Sequence, residues 1–478
     1  MRLAFNSRYH RAILRLGLIP AVALLLPAAA PCVAQVTATP LNKNGIYDVN
    51  EKAGWTLTLP EGAAAPTAPY TYTIKTNNLD VLKQGELDLS KGKATLDITV
   101  DKPAMLYVQI TPPVAARGPA PGAGAVDGAG GPGGAAGGAR RGGAGGFGRG
   151  RGGGGGMTLG AAIAPTKLEP SVPRPADFDA FWDGKLKALA EVPMNPELKP
   201  VAGTRQGLEM YTVKLDSLNS HTQGYLAKPA KEGKFPAIAI FEWAGVHALS
   251  ENTVTDRARE GWLAFNVESH DMPPTSGNGA PMNYQTVGNT DKEQSYFLNM
   301  YLRDARAMQY LMSRPDWDGK TLVVMGTSMG GQQSFCTAGL MGDKVTHLIV
   351  HVPSGSDTNG QLHGRQAGYP NWPSNNAAVM QTALYFDPVN FAPRIKATCL
   401  VSMGFIDTTA PAVGIWTTFN QIRSPKEAAP MIDAGHNNVS TPAQQLPFTS
   451  RSTEWLNAIV KGEAVKPNPE MAQPAHTP

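Results

Sequence analysis

Cysteine is scarce in this sequence, with three in 478 residues, one of them Cys32 near the start. The other two, Cys336 and Cys399, are too few for a disulfide framework. Both lie in apolar stretches, so two buried thiols are expected, with a single disulfide left open. Long apolar runs are also missing. After the first 34 residues nothing approaches the roughly 18 apolar residues that a spanning helix needs. The formal net charge of +4 is too small to argue for nucleic acid or a membrane surface as partner. No Cys/His cluster has zinc spacing, and no glycine loop opens a helix with a phosphate-binding lysine. No metal and no cofactor are expected.

What the chain does have is length enough for two or three units. Residues 1–34 read as a secretory signal. Arg2, Arg8, Arg11 and Arg15 form a basic start, and Leu16 to Leu26 is a short apolar run. Cys32-Val33-Ala34 then offers small residues before a cut at Gln35. Pro31 suits a lipid-anchored product poorly, so a soluble secreted or periplasmic protein is expected, free of the membrane after cleavage.

From 35 to 165 short alternating stretches are separated by turn residues. Trp55 to Leu59, Tyr70 to Ile74, Ala94 to Val100 and Met105 to Ile110 carry the pattern. Such spacing predicts a small β-sandwich. Residues 118–156 interrupt it with glycine, alanine and proline, too little apolar surface to offset the entropy of ordering, and are expected to be disordered. Phe147, Arg149 and Arg151 among these glycines look superficially like an RNA-binding tract, but in an exported chain a flexible loop is the reading, and no nucleic acid is expected. Leu159 to Ile163 reads as a last strand of the same unit.

From 166 to 465 the pattern changes. Phe178, Phe181, Trp182, Leu186 and Leu189 fall on one helical face after Pro175. Then strand candidates (Glu209 to Leu215, Thr222 to Ala227, Ala237 to Phe241, Leu263 to Val267, Leu322 to Met325, Leu348 to Val352, Cys399 to Met403) alternate with helix candidates (Tyr296 to Met312, Gly331 to Leu340, Ile415 to Ile422, Glu454 to Val460). Alternation of this kind predicts an α/β fold with a mostly parallel sheet covered on both faces. Residues 466–478 read as a disordered tail.

Gly326-Thr327-Ser328-Met329-Gly330 is the strongest chemical signal. The pattern GxSxG alone is weak. Here it follows the apolar strand Leu322 to Met325 and precedes a helix, the setting of a nucleophile elbow. A serine hydroxyl needs a base, and the base an orienting acid. In this fold the chain order is serine, acid, histidine. His347 and His351 border an apolar strand, where structural roles suit them, and His363 and His476 lie in a loop and a proline-rich tail. His436 sits in a polar loop before the last helix and is the expected base. Asp407, in the loop after Cys399 to Met403, is the expected acid; Asp433, its rival, lies only three residues before His436. The oxyanion hole should use the amide of Met329 and one from Phe241-Glu242-Trp243-Ala244-Gly245, either Trp243 or Ala244. Trp243 reads equally well as plain packing.

Residues from about 165 to 462 resemble the acetyl xylan esterase / cephalosporin-C deacetylase family of α/β-hydrolases, carbohydrate esterase family seven. Arg174 to Trp182, Gly326 to Gly330, Gly404-Phe405-Ile406-Asp407 and Gly435-His436 carry the likeness. Val352 to Asp357 and Gly364-Arg365 through Trp372 resemble members with an N-terminal β-domain. The resemblance implies a serine esterase removing acetyl groups from carbohydrates such as xylan, with Trp243, Arg365 and Trp372 as substrate-contacting candidates. It leaves a homo-oligomer open. Met329 stands where the family has Gln, Glu242-Trp243-Ala244 where it has His-Gly-Tyr, and Glu268-Ser269-His270-Asp271 near its Arg-Gly-Gln. A bulky Trp243 and Met329 beside the attacked carbonyl predict a small acyl pocket.

Overall fold

A computed structural model describes residues 36–113, 156–203 and 205–474. The expected signal, residues 114–155 (all but the last residue of the expected glycine-rich stretch with four before it) and the last four residues of the expected tail lie outside the described residues.

The first unit is a two-sheet sandwich. Its strands are β1 (Thr37–Pro40), β2 (Ile46–Tyr47), β3 (Lys52–Thr58), β4 (Tyr70–Thr76), β5 (Asp80–Leu87), β6 (Lys93–Thr99), β7 (Ala104–Thr111) and β8 (Met157–Ile163). One sheet has the order β1-β3-β6 and the other β2-β8-β7-β4-β5. Alternation decides what each strand face buries. In β8, Leu159, Ala161 and Ile163 enter the sandwich core with Trp55, Leu57 and Val108. Ala162 on its opposite face joins the core of the second unit. Gly160 shares that face, where a Cβ would come within 2.5 Å of Phe405 Cβ. Only a glycine lets the sandwich sit this close to the segment that leads into Asp407.

The second unit begins at α1 (Phe178–Ala190), whose Phe178, Trp182 and Leu189 are buried. The Trp182 indole donates to Tyr385 O at 2.9 Å, satisfying its one polar atom. Strands β9 (Glu197–Pro200), β10 (Leu208–Ser217) and β11 (Ser220–Pro229) pair antiparallel at one edge of a nine-stranded sheet. Next come β12 (Phe235–Phe241), α2 (Glu251–Glu260), β13 (Leu263–Val267), α3 (Tyr296–Ser313), β14 (Trp317–Thr327), α4 (Met329–Met341), β15 (His347–His351), α5 (Ala377–Ala383), α6 (Pro388–Phe391), β16 (Thr398–Gly404), α7 (Ala412–Gln421), β17 (Lys426–Met431) and α8 (Pro442–Val460). The sheet order is β17-β16-β15-β14-β12-β13-β11-β10-β9. From β17 to β13 every neighbouring pair is parallel.

Both faces of the parallel part are covered. Leu322 and Val324 pack with Ala307, Phe335 and Trp416 from α3, α4 and α7. Val323, between them, points the other way toward Val254 of α2 and Trp455 and Ile459 of α8. This is an α/β-hydrolase fold with a β-rich unit in front. Cys336 and Cys399 are both buried and unpaired with each other.

Two expectations are corrected. Residues 466–474 are not a loose tail. Buried Glu427 accepts from the Asn468 amide at 2.8 Å, Arg451 Nη2 donates to Lys466 O, and Asn44 of the sandwich reaches Gln473 O. A buried carboxylate needs such partners, and the tail supplies one. Helix α8 also starts twelve residues before the expected Glu454. Its polar opening and Pro447 hide it, although Thr441 and Gln444 form a capping box.

Candidate active site

Strand β14 ends at Thr327 and α4 starts at Met329, which leaves one residue to turn the chain. That residue is Ser328, with φ 58° and ψ −120°. A positive φ in a side chain other than glycine is strained and persists only where packing over-determines it. The packing is severe here. A Cβ on Gly330 would lie 2.1 Å from Phe241 O, and one on Gly326 would lie 2.3 Å from the Gly330 carbonyl carbon. The two glycines let β14, β12 and the start of α4 close on one another, and the serine hydroxyl is left at the tip.

Ser328, His436 and Asp407 meet at this tip. His436 Nε2 is 2.8 Å from Ser328 Oγ, and His436 Nδ1 is 2.7 Å from Asp407 Oδ2. Asp407 accepts the amides of Thr409 and Ala410 on its other oxygen, each at 2.8 Å. With one oxygen fixed by the backbone, the other is aimed at the imidazole. Asp433 makes no hydrogen bond to His436; its side chain is exposed. The histidine loop has its own anchor. Gln445 Nε2 donates to Asn437 O and Ser440 O, while Gln445 Oε1 is 2.8 Å from His351 Nε2. His351 is stacked on Phe448 and burial pushes its pKa down to about 4. It is a neutral structural post, not a base.

The amides of Met329, Trp243 and Ala244 donate to no backbone group among the described residues. Trp243 and Ala244 line the same pocket as Ser328, and Met329 follows Ser328 directly. The pocket has a volume of about 400 Å³; Tyr369, Thr409, His436, Asn437 and Asn438 complete its wall.

The family model described as acetyl xylan esterase matches residues 166–452. The chain belongs to the acetyl xylan esterase family. Acetyl esterase Axe7A of Xylanibacter ruminicola is 33% identical over 284 residues, which cover 55% of this chain. The alignment spans 64% of that relative, less than two thirds of its length. Two solved acetyl xylan esterases, from Paenibacillus sp. R4 and from Thermoanaerobacterium sp. JW/SL YS485, share the fold. Each is 22% identical, covers 62% of this chain and has a TM-score of 0.54; 98% and 97% of their own chains are covered.

Four side chains of this family member lie elsewhere than their sequence pattern suggests. Arg365 pairs with buried Asp357 and donates to Thr417 and to Glu169 O, so its guanidinium is spent on holding the segment between β8 and α1. Trp372 is buried, with its indole N–H on Gln285 O at 2.6 Å. Neither lines the pocket. The Met329 side chain, next to Ser328 in sequence, is fully buried, and its sulfur lies 3.2 Å from the hydroxyls of Tyr284 and Tyr369. It therefore does not crowd an acyl group. Trp243 is 52% exposed at the mouth, which removes it as a tight acyl wall.

Sequence reasoning missed the side chains that hold the loop 242–245. Gly245 N–H donates to Tyr284 Oη at 3.2 Å, and Gly245 O is 2.9 Å from His270 Nε2. Burial pushes the His270 pKa down to about 4, so the ring is neutral. Its Nε2 carries the proton that Gly245 O accepts, and its Nδ1 accepts from the Tyr296 hydroxyl at 2.9 Å. From α4, Gln333 donates to Glu242 O at 3.1 Å. These partners lie 25 to 91 residues from the loop they fix, and no local motif announces them.

Proposed function

We propose that the chain is an exported serine esterase that removes acetyl groups from carbohydrates, acetylated xylan or xylo-oligosaccharides being the substrates favoured. The supporting observation is the unbroken Ser328–His436–Asp407 chain beside unpartnered amides in an open pocket. Family membership supports the acetyl ester as the bond broken.

In this reading His436 Nε2 takes the Ser328 proton as Oγ attacks the acetyl carbonyl. Asp407 holds the imidazole in the required tautomer and stabilises the imidazolium. The oxyanion is received by the amide of Met329 with that of Ala244 or Trp243. His436 then gives its proton to the departing sugar oxygen, leaving acetyl-Ser328. Water, deprotonated by the same imidazole, attacks the acyl-enzyme and releases acetate. None of these steps needs a group beyond this chain and water. Export rests on the N-terminal pattern; among the described residues no helix is long and apolar enough to cross a membrane.

The test is acetate release from acetylated xylan against other acetylated glycans, run beside an aryl acetate, butyrate and octanoate series. Release from xylan with acetate preferred supports the reading. Preference for butyrate or octanoate would replace it with a general carboxylesterase, and absence of fluorophosphonate labelling at Ser328 would remove the serine mechanism.

A further inference from the structure

Trp243 is the one tryptophan of the eight in the chain that is largely exposed, at 52%. Folded proteins bury indoles for their area, so an exposed one on the wall of a pocket calls for a ligand. The ring is not loose. The His247 imidazole stacks on it, with centroids 5.1 Å apart and planes 22° off parallel. One face is backed and the ring is held as a plate. Its indole N–H has no hydrogen-bond partner among the described residues.

Thr409, Asn437 and Asn438 line the same pocket. Asn437 and Asn438 directly follow His436, the group proposed to hand a proton to the leaving oxygen. Asn437 is half-buried and Asn438 exposed. Neither amide side chain has a partner among the described residues, and each offers two donors and an acceptor site. No lysine, arginine, aspartate or glutamate lines the pocket. Its volume of about 400 Å³ is far more than a two-carbon acyl group fills and lies within the roughly 300–1,000 Å³ of small-molecule sites. An apolar plate and neutral hydrogen-bonding groups in one pocket suit a ring with a C–H face and hydroxyl edges. It does not suit an ion or a long alkyl chain.

We propose that Trp243, backed by His247, and the Asn437 and Asn438 amides form a subsite for one uncharged pyranose ring on the leaving-group side of the ester. The proposal rests on the esterase reading for the position of the ester, and deepens it by naming what recognises the alcohol.

Two measurements separate the subsite from that reading. The first is xylobiose binding to the Ser328→Ala protein by calorimetry, with and without Trp243→Ala. Binding weakened tenfold or more by Trp243→Ala, largely restored in Trp243→Phe and partly lost in His247→Ala, supports the subsite. Binding that is absent, or indifferent to Trp243, overturns it whether or not the enzyme turns over. The second is the ratio of kcat/KM for acetylated xylobiose to that for ethyl acetate, which has no ring. A tenfold fall of this ratio in Trp243→Ala, carried mainly by KM, supports the proposal. An equal loss on both esters would overturn it and make Trp243 a support of the oxyanion loop. Intact xylobiose binding with no hydrolysis of either ester would refute the esterase reading alone.

Discussion

The turn at Ser328 and the loop from Glu242 to Gly245 face the same pocket, yet they are held in different ways. The turn is fixed by its own backbone. Gly326 and Gly330 allow contacts that a Cβ would block, and the first helical residue follows at once. The loop has no such local geometry. It is fixed by Tyr284, His270 and Gln333, side chains from other elements that hold Gly245 at both its N–H and its carbonyl and Glu242 at its carbonyl. A change in the turn should therefore act on chemistry alone, while a change around the loop should act on geometry, in graded steps.

The largest effect should come from the turn. Ser328→Ala should lower kcat on any ester by about 10⁴-fold or more, because the members of such a set act as a unit. Thermal unfolding should stay within a few degrees of the parent. Residual activity within tenfold would break the assignment of the nucleophile. Next is the acid. Asp407→Asn should cost about 10³- to 10⁴-fold in kcat, since an amide favours the wrong imidazole tautomer. Asp433→Asn, with no bond to His436, should stay within about twofold. Steady-state kinetics of the two variants would decide, and a reversed order would transfer the role to Asp433.

The same contrast explains what could be read before any coordinates. GxSxG between an apolar strand and a helix encodes its own geometry, and chain order then ranks His436 and Asp407. Strands such as β12, β14 and β16 announce themselves as short apolar runs because both sheet faces are covered. Elements with few buried residues were not legible. In α2 only Val254, Thr255 and Ala258 are buried, and β5 exposes most of its length. Arg365 and Trp372 went astray for a related reason. An arginine or tryptophan near a motif reads as a ligand contact, but Asp357 and Gln285 O, which claim them, are visible only in three dimensions. Tyr284 carries no signal beyond its residue type, and His270 stands out only within Glu268-Ser269-His270-Asp271, with nothing there that ties it to the 242–245 loop.

A smaller effect should follow from loosening the loop. Tyr284→Phe removes the acceptor of the Gly245 N–H and the hydroxyl shared with Tyr369. The buried ring remains, so the fold should hold. Displacing a group by about 1 Å can cost about 10²-fold, and with His270 still on the Gly245 carbonyl a kcat loss of about tenfold is expected, with KM little changed. Parent-like kcat would mean that the loop keeps its geometry without Tyr284.

The smallest effect is a pH dependence of stability beneath the same loop. Glu268, the residue after β13, is buried, with Oε2 unpartnered and the Glu242 carboxyl close enough to repel it. Burial first, and then repulsion from Glu242, push its pKa up from 4.5 to about 8. In the folded state it therefore keeps its proton over a range where the unfolded chain has lost it. With more protons bound in the native state, stability falls as pH rises. The contribution is fully present below pH 4.5 and lost as pH climbs through about 8. The neutral His270 beside it works in the opposite sense. Its pKa is pushed from 6.5 down to about 4, so its contribution is present above 6.5 and lost as pH falls through 4. Glu268→Gln removes only the first of these dependences. Its melting temperature should match the parent near pH 4.5 and exceed it increasingly toward pH 8. Each unit of pKa shift corresponds to about 1.4 kcal/mol, and each kcal/mol to about 2 °C or less in a domain larger than about 250 residues, so a gap of a few degrees should open by pH 8. Scanning calorimetry of both proteins from pH 4.5 to 8 measures it. Parallel curves would mean that Glu268 is ionised in the folded state, and that the ground under the 242–245 loop holds a charge instead of a proton.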